Sequence, residues 1–178
     1  MKKQIVFFDG DGTLWYPKKT KYKKAVWWIY ELPGDYKDHC NHLILTPTTY
    51  NTLKKLKKMG VVTIILSTHP QTSKVADIII NHKVKHFKIS ELFDEVHATR
   101  GYKEAKGEMI LKILKEKKIS KKNALMVGDN YYWDYKPARD VGVDALLIKS
   151  DHHFKSHPKV NRVKRTISQL KEVIDFIK

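Results

Sequence analysis

Gln4-Ile5-Val6-Phe7-Phe8-Asp9-Gly10-Asp11-Gly12-Thr13-Leu14 is the stretch that decides the fold. After Gln4 it is apolar, β-branched and aromatic, and it stops abruptly at Asp-Gly-Asp-Gly. That pattern predicts a strand buried on both faces that runs straight into a turn. Three more runs have the same form. Val61 to Leu66 ends at Ser67-Thr68, Ala124 to Val127 ends at Gly128-Asp129, and Ala145 to Ile148 ends at Lys149-Ser150. A weaker strand is expected around Glu95 to Ala98.

Helical spacing fills the intervals. Thr46 reads as an N-cap with Pro47 at the first helical position, followed by Leu53, Leu56 and Met59 and closed by Gly60. Val75, Ile78, Ile79 and His82 repeat the spacing in a second helix, and Met109, Ile110, Ile113 and Leu114 in a third. A short fourth carries Ala138 and Val141 and ends at Gly142, and Ile167, Leu170, Val173, Ile174 and Ile177 predict a C-terminal helix over 166–178. Strands alternating with helices of this length specify an α/β fold: a doubly wound, mostly parallel five-stranded sheet in one domain spanning 1–178. Residues 15–45 fit neither period and are expected to form a loop or small hairpin insert over the site. Ligands of such sheets bind at the carboxyl ends of the strands, so Asp9, Ser67 and Asp129 should converge on one crevice.

Composition bounds the chemistry. The 178 residues hold 35 Lys and Arg against 19 Asp and Glu, a net charge of +16 that points to an anionic partner. The single cysteine, Cys40, excludes an internal disulfide framework and suits a reducing compartment. No apolar run approaches the roughly 18 residues of a membrane span, and no signal-type segment follows Met1, so the expectation is a cytoplasmic protein with no membrane partner.

The carboxylates carry the chemistry. Asp9, Asp11 and Asp129 would place three acids in a small volume, which is costly unless a cation neutralises them. Mg2+ is the natural one, since it takes hard oxygen ligands and bridges carboxylate to phosphate. One carboxylate can then act as a nucleophile toward phosphorus, and a second can protonate the leaving oxygen and activate water. Several residues have a plainer reading beside the functional one. Ser67 could cap the next helix, Lys106 could be a solvated helix-start lysine with Lys103 as its substitute, and Asp134 could cap the helix that holds Pro137. Cys40 between His39 and His42 reads as surface loop, as do His152, His153 and His157. Trp27, Trp28 and Tyr30 read mostly as packing of the insert. The five lysines from Lys18 to Lys24 are a solvated face or an anion-collecting rim.

These motifs resemble the haloacid dehalogenase-like (HAD) superfamily of phosphatases and phosphotransferases. Asp9-Gly10-Asp11-Gly12-Thr13-Leu14 matches its first motif, Ser67 after an apolar strand its second, Lys106 its third, and Gly128-Asp129 with Asp134 its acidic fourth. The resemblance implies that Asp9 is nucleophile and metal ligand, and that Asp11 is general acid/base and metal ligand through its backbone carbonyl. It implies that Ser67 and Lys106 hold the transferring phosphoryl group with Thr68 beside them, and that Asp129 and Asp134 bind or fix Mg2+. Intervals too short for a separate cap domain look like the capless branch, whose magnesium-dependent phosphatases share Thr13-Leu14-Trp15. The chain departs from that group at Thr68, where Arg is common, and at Gly128, where a second Asp is common. The expected reaction is hydrolysis of a phosphomonoester, on a small molecule or on the exposed phosphate of a macromolecule. The alternatives are a polynucleotide phosphatase of the same mechanism and a non-catalytic, basic nucleic-acid-binding or partner-binding module on this scaffold.

Overall fold

The computed structural model describes residues 2–69, 73–99, 101–102, 105–150 and 163–178. The strands are β1 (Ile5–Phe8), β2 (Trp15–Pro17), β3 (Leu43–Leu45), β4 (Val62–Thr68), β5 (Glu95–Thr99), β6 (Ala124–Gly128), β7 (Asp144–Ile148) and β8 (Thr166–Ile167). The helices are α1 (Tyr36–Cys40), α2 (Thr49–Lys58), α3 (Ser73–His86), α4 (Ala105–Glu116) and α5 (Lys136–Asp140). Six strands form one sheet in the order β5-β4-β1-β6-β7-β8, and every pairing in it is parallel.

Alternation along each strand separates two cores. Val6, Phe8, Ile65, Leu125 and Val127 face α2, α3 and the C-terminal turns, with Leu53, Leu56, Ile80 and Val173 in the same cluster. Ile5, Phe7, Ile64, Leu66 and Met126 face the other way, onto Ile110, Ile113 and Leu114 of α4 and Ala138 of α5. Both faces of β1, β4, β6 and β7 are therefore mainly apolar, which is why these strands read as continuous runs rather than as alternating ones, whereas the edge strand β5 carries Glu95 and His97. The chain steps outward from β1 through β4 to β5, then returns to the other side of β1 with β6. The order reverses at β1 and β6, and the crevice opens beyond their ends.

Four details differ from the sequence expectation. The sheet has a sixth strand: Thr166 and Ile167 pair with Leu147 and Ile148 of β7, a segment too short to show a period. The C-terminal segment is consequently not one helix over 166–178, because Ile167 belongs to the sheet and a 3₁₀ helix runs only from Leu170 to Phe176. α2 begins at Thr49, after Thr48 with a φ of 70°, while Thr46 takes Thr49 Oγ1 on its carbonyl at 2.7 Å. On α3 the buried stripe is Ala76, Ile79, Ile80, Lys83 and Val84, whereas Val75 and Ile78 are 41% and 49% exposed.

The insert is a two-stranded antiparallel ribbon, β2 with β3, whose connection carries 3₁₀ turns at Lys21–Lys23 and Val26–Glu31 and then α1. Trp15, Val26, Ile29 and Leu43 anchor it in the core. Cys40 and His39 are buried within it rather than on a surface loop: Cys40 Sγ donates to Tyr36 O, and the His39 ring lies 3.1 Å from Leu32 O. His152, His153, His157 and Lys103 lie outside the described residues.

Candidate active site

The turn after β1 is built for close approach. Leu14 N donates to Gly10 O at 2.8 Å and Gly12 N to Trp15 O at 2.8 Å, which folds Gly10 to Trp15 back under the strand end. Gly12 has a φ of +82°, and a Cβ there would lie 2.2 Å from Asp129 Oδ2. Glycine is required twice over, by the left-handed backbone and by the carboxylate from β6 that packs on it. On the far side, a Cβ on Gly10 would sit 3.0 Å from Ser67 Oγ, so Ser67 lies directly beneath the turn. Ser67 is inside β4, well before α3 begins at Ser73, and does not cap that helix.

The loop after β6 delivers two acids. Asp129 follows the strand directly, and Tyr131–Tyr135 winds as a single π-helical turn, a distortion frequent at functional sites. Asn130 caps that turn, its Oδ1 accepting from Tyr132 N at 2.9 Å and Trp133 N at 3.2 Å. Asp134 does not cap the helix that holds Pro137: α5 follows this turn directly, after Tyr135, with no side-chain cap. Asp134 instead turns back toward Asn130, its Oδ2 accepting from Asn130 N at 2.9 Å, and packs where any side chain on Gly128 would collide with it.

Asp9, Asp129 and Asp134 form one buried group, with a carboxylate oxygen of each within 4.8 Å of the others. Lys106, 1% exposed on the first turn of α4, reaches in with its Nζ 2.6 Å from Asp9 Oδ1 and also on Asp134 Oδ1. Burial pushes the Asp9 carboxyl up, against the pull of Lys106 and with the help of Asp134, to about 7. Burial likewise raises Asp134, again against Lys106. Burial opposes the charge on Lys106, but Asp134 and Asp9 outweigh it and hold the ammonium above its ordinary value. Three carboxylates against one ammonium leave a deficit of positive charge among oxygen donors only. That donor set fits a hard divalent cation such as Mg2+.

Asp11 does not complete this group with its side chain, contrary to the expectation that Asp9, Asp11 and Asp129 would crowd together. Its Oδ1 accepts from Trp15 Nε1 at 2.5 Å and Lys83 Nζ at 2.8 Å, and its Oδ2 accepts from the Tyr30 hydroxyl. Burial alone would raise its carboxyl, but Lys83 and these hydrogen bonds hold it below the usual range. Asp134 takes the place assigned to Asp11 among the side chains. Lys83, Tyr30 and Asn130 were not singled out from the sequence for these roles.

An open cleft of about 210 Å³ lies over the group. Asp9, Asp11, Asp129, Asp134, Lys106 and Thr68 line its floor, and Thr68 Oγ1 is 2.8 Å from Thr99 Oγ1. The insert adds Lys21, Lys24 and Trp27 to its lining, and the loop after β6 adds Trp133.

The electrostatics give a stability signature. A carboxyl raised in the folded state holds a proton that the unfolded chain releases, so its contribution is full below its ordinary value of 3.8 and is lost as the pH rises toward about 7. In EDTA the melting temperature should carry a falling component between about pH 4 and about pH 7, reduced in Asp9→Asn, where the raised Asp134 remains, and suppressed by Mg2+. Thermal melts across that range check it, and an identical slope in Asp9→Asn would dissociate Asp9 from the effect.

The family model for haloacid dehalogenase-like hydrolases matches residues 9–148. No curated protein sequence matches the chain. Among solved structures it is similar to a HAD phosphatase from Thermococcus onnurineus, at 20% identity and a TM-score of 0.69 over 99% of this chain and 97% of that one. It is similar to a HAD-superfamily hydrolase of subfamily IA, variant 1, from Geobacter sulfurreducens, at 17% identity and a TM-score of 0.70 over 99% and 97%. It is similar also to a phospho-aspartyl intermediate analogue of phosphoserine phosphatase, at 18% identity and a TM-score of 0.67 over 100% of both chains. At these identities the likeness is one of fold. Because the matched span runs from Asp9, just past β1, to Ile148, the last residue of β7, and takes in the strand ends that form the cleft, the chain belongs to the haloacid dehalogenase-like hydrolases.

Proposed function

We propose that this hydrolase is a Mg2+-dependent phosphomonoesterase that works through an aspartyl phosphate on Asp9. The observation that carries the reading is the position of Lys106, paired at once with Asp9 and Asp134 on the floor of an open cleft beside Asp129. Phosphoryl transfer is catalysed chiefly by positioning and by positive charge around the phosphoryl oxygens, and this floor supplies both. Asp9, Asp129 and Asp134, with the backbone carbonyl of Asp11, would hold Mg2+, which when bound neutralises the acids and the substrate phosphate.

In the first half-reaction an Asp9 carboxylate oxygen forms a bond to phosphorus as the ester oxygen departs with its bonding electron pair. Asp11, ionised in the free protein, takes up a proton from solvent as the substrate dianion binds beside it and gives that proton to the departing oxygen. Lys106 offsets the charge carried by Asp9 and the phosphoryl oxygens, while Ser67 and Thr68 donate to those oxygens from the end of β4. In the second half-reaction Asp11 takes a proton from water, the water oxygen bonds to phosphorus, and Asp9 leaves as its carboxylate with inorganic phosphate released.

A second reading, an end-phosphorylated nucleic acid as substrate, is favoured by what the insert adds to the cleft. Trp27 is 61% exposed there, beside the cations Lys21 and Lys24. Exposed aromatic faces with neighbouring lysines suit stacked bases and a phosphate backbone. Phosphate release from sugar phosphates, nucleotides, phosphotyrosine peptide and end-phosphorylated oligonucleotide, each with Mg2+ and with EDTA, tests both. A Mg2+-dependent release from at least one is required. For the oligonucleotide, log kcat/KM should fall steeply with log salt. The slope should lessen in Lys21→Gln/Lys24→Gln, since a side chain without charge displaces no counterion from a phosphate. Equal shallow slopes for sugar phosphate and oligonucleotide would leave the small-molecule reading alone.

A further inference from the structure

Lys83 is a charged residue on the inward stripe of α3, whose other members are Ala76, Ile79, Ile80 and Val84. At 1% exposure its ammonium is removed from water, and an aliphatic side chain of similar length would fill the same space without that cost. The ammonium is directed at one target. Nζ lies 2.8 Å from Asp11 Oδ1 and 2.5 Å from the Tyr30 hydroxyl, which itself donates to Asp11 Oδ2. The same Nζ stands 4.7 Å from the Tyr30 ring centre and 5.5 Å from that of Trp15, whose Nε1 donates to Asp11 Oδ1. Both carboxylate oxygens of Asp11 are thus held by donors from three separate elements: β2, the 3₁₀ turn Val26–Glu31 of the insert, and α3.

We propose that Lys83 and Tyr30 are positioning residues for Asp11, setting the direction in which its carboxyl meets the leaving-group oxygen. The proposal rests on the phosphatase reading given above and adds to it the means by which the acid is aimed. Asp11 needs such a means, because its neighbour two residues back, Asp9, belongs to the group that would hold the cation, and with an ion bound there a free carboxyl beside it would be drawn onto the ion. The cage leaves Asp11 in the lining of the cleft but outside the group formed by the Asp9, Asp129 and Asp134 oxygens. It also ties the insert to the chemistry. The turn that presents Val26 and Trp27 to the cleft presents Tyr30 to Asp11. A leaving group resting against that turn therefore touches the element that orients the acid.

The consequence is a dependence on the leaving group that a merely structural role would not produce. An alkoxide must be protonated as it leaves, whereas p-nitrophenolate departs readily as the anion. The probes are β-glycerol phosphate and p-nitrophenyl phosphate with Mg2+, and the readout is the ratio of their kcat/KM values, which covers the first chemical step. Lys83→Met retains the stem of the side chain, and Tyr30→Phe retains ring and packing while deleting only the hydroxyl. The ratio should shift against the alkyl ester by about 100-fold in Lys83→Met and about 10-fold in Tyr30→Phe, the scale on which a misplaced catalytic group acts. Mg2+ affinity, measured by the rise in melting temperature on adding Mg2+, should stay within about 3-fold of wild type in Tyr30→Phe, because the hydroxyl bonds to the Asp11 side chain and Lys83 and to none of the Asp9, Asp129 and Asp134 carboxylates. An equal loss for both esters, or no loss in either variant, overturns the positioning role while leaving the phosphatase reading standing. A wild-type protein that hydrolyses neither these esters nor any other phosphomonoester overturns both.

Discussion

Asp9→Asn should lose at least about 10⁴-fold in kcat on whichever phosphomonoester the wild-type protein turns over best, the scale at which deleting a covalent nucleophile acts. The substitution is nearly isosteric, and the amide oxygen can still accept from Lys106, which lies 2.6 Å from Asp9 Oδ1. What it removes is the negative charge and the lone pair that would bond to phosphorus. A second measurement separates chemistry from binding. Acid quenching of the wild-type protein during turnover of a radiolabelled substrate should trap phosphate on the protein in a form released by hydroxylamine, as an acyl phosphate is. Asp9→Asn should trap none, even though it folds. Its fold should survive because Asp9 and Asp134 repel one another across Lys106, so neutralising one relieves that repulsion. Turnover near the wild-type rate in Asp9→Asn would overturn the covalent mechanism outright.

The strand ends were legible in the sequence for a physical reason. Parallel strands covered on both faces bury every residue, so Ile5–Phe8 and Ala124–Gly128 stand out as unbroken apolar runs, and the polar residue that stops each run marks the crevice. Asp9 and Asp129 stop two such runs and line the cleft; at the end of β4 it is Thr68 that lines it, with Ser67 buried beneath the turn, and Asp134 was legible only through the family resemblance. Lys83 was hidden for the converse reason. Its charge looks like that of a solvated residue, and its partner Asp11 is 72 residues away in sequence, so no local period betrays the pair. On α3 the spacing of Val75, Ile78, Ile79 and His82 does not include Lys83, whereas the buried stripe runs through small Ala76 and the lysine. β8 was missed because two residues carry no alternation. Tyr30 reads as apolar packing from composition alone, and only the folded insert brings its hydroxyl to Asp11.

Lys106 is the residue whose loss should be felt in both stability and rate. Among the described residues it is the cation that touches Asp9 and Asp134, and all three side chains are removed from water. Lys106→Met keeps most of the stem volume and deletes the charge, leaving the carboxylates of Asp9, Asp134 and nearby Asp129 facing one another in a dry site. Removing one partner of a buried pair costs about 3–5 kcal/mol when the remaining charge cannot escape. Here it can escape by protonation. Asp9 is already raised to about 7 with Lys106 present, and without it both acids must rise further. A raised carboxyl stabilises the folded state while it keeps its proton and ceases to do so as the pH climbs. In EDTA, the fall in melting temperature from wild type to Lys106→Met should therefore be small near pH 5 and largest near pH 8, where the protons are lost. Mg2+ should restore a larger share of the melting temperature in the variant than in the wild type, because the ion then meets more uncompensated charge. Restored folding should not restore turnover: with Mg2+ present, kcat should remain down by at least about 10²–10³-fold, since no donor is left to face the phosphoryl oxygens from α4. A variant whose melting temperature in EDTA matches wild type at both pH values would mean that Lys106 is not the counter-ion of this group. A stable variant with undiminished kcat would remove it from the catalytic floor as well.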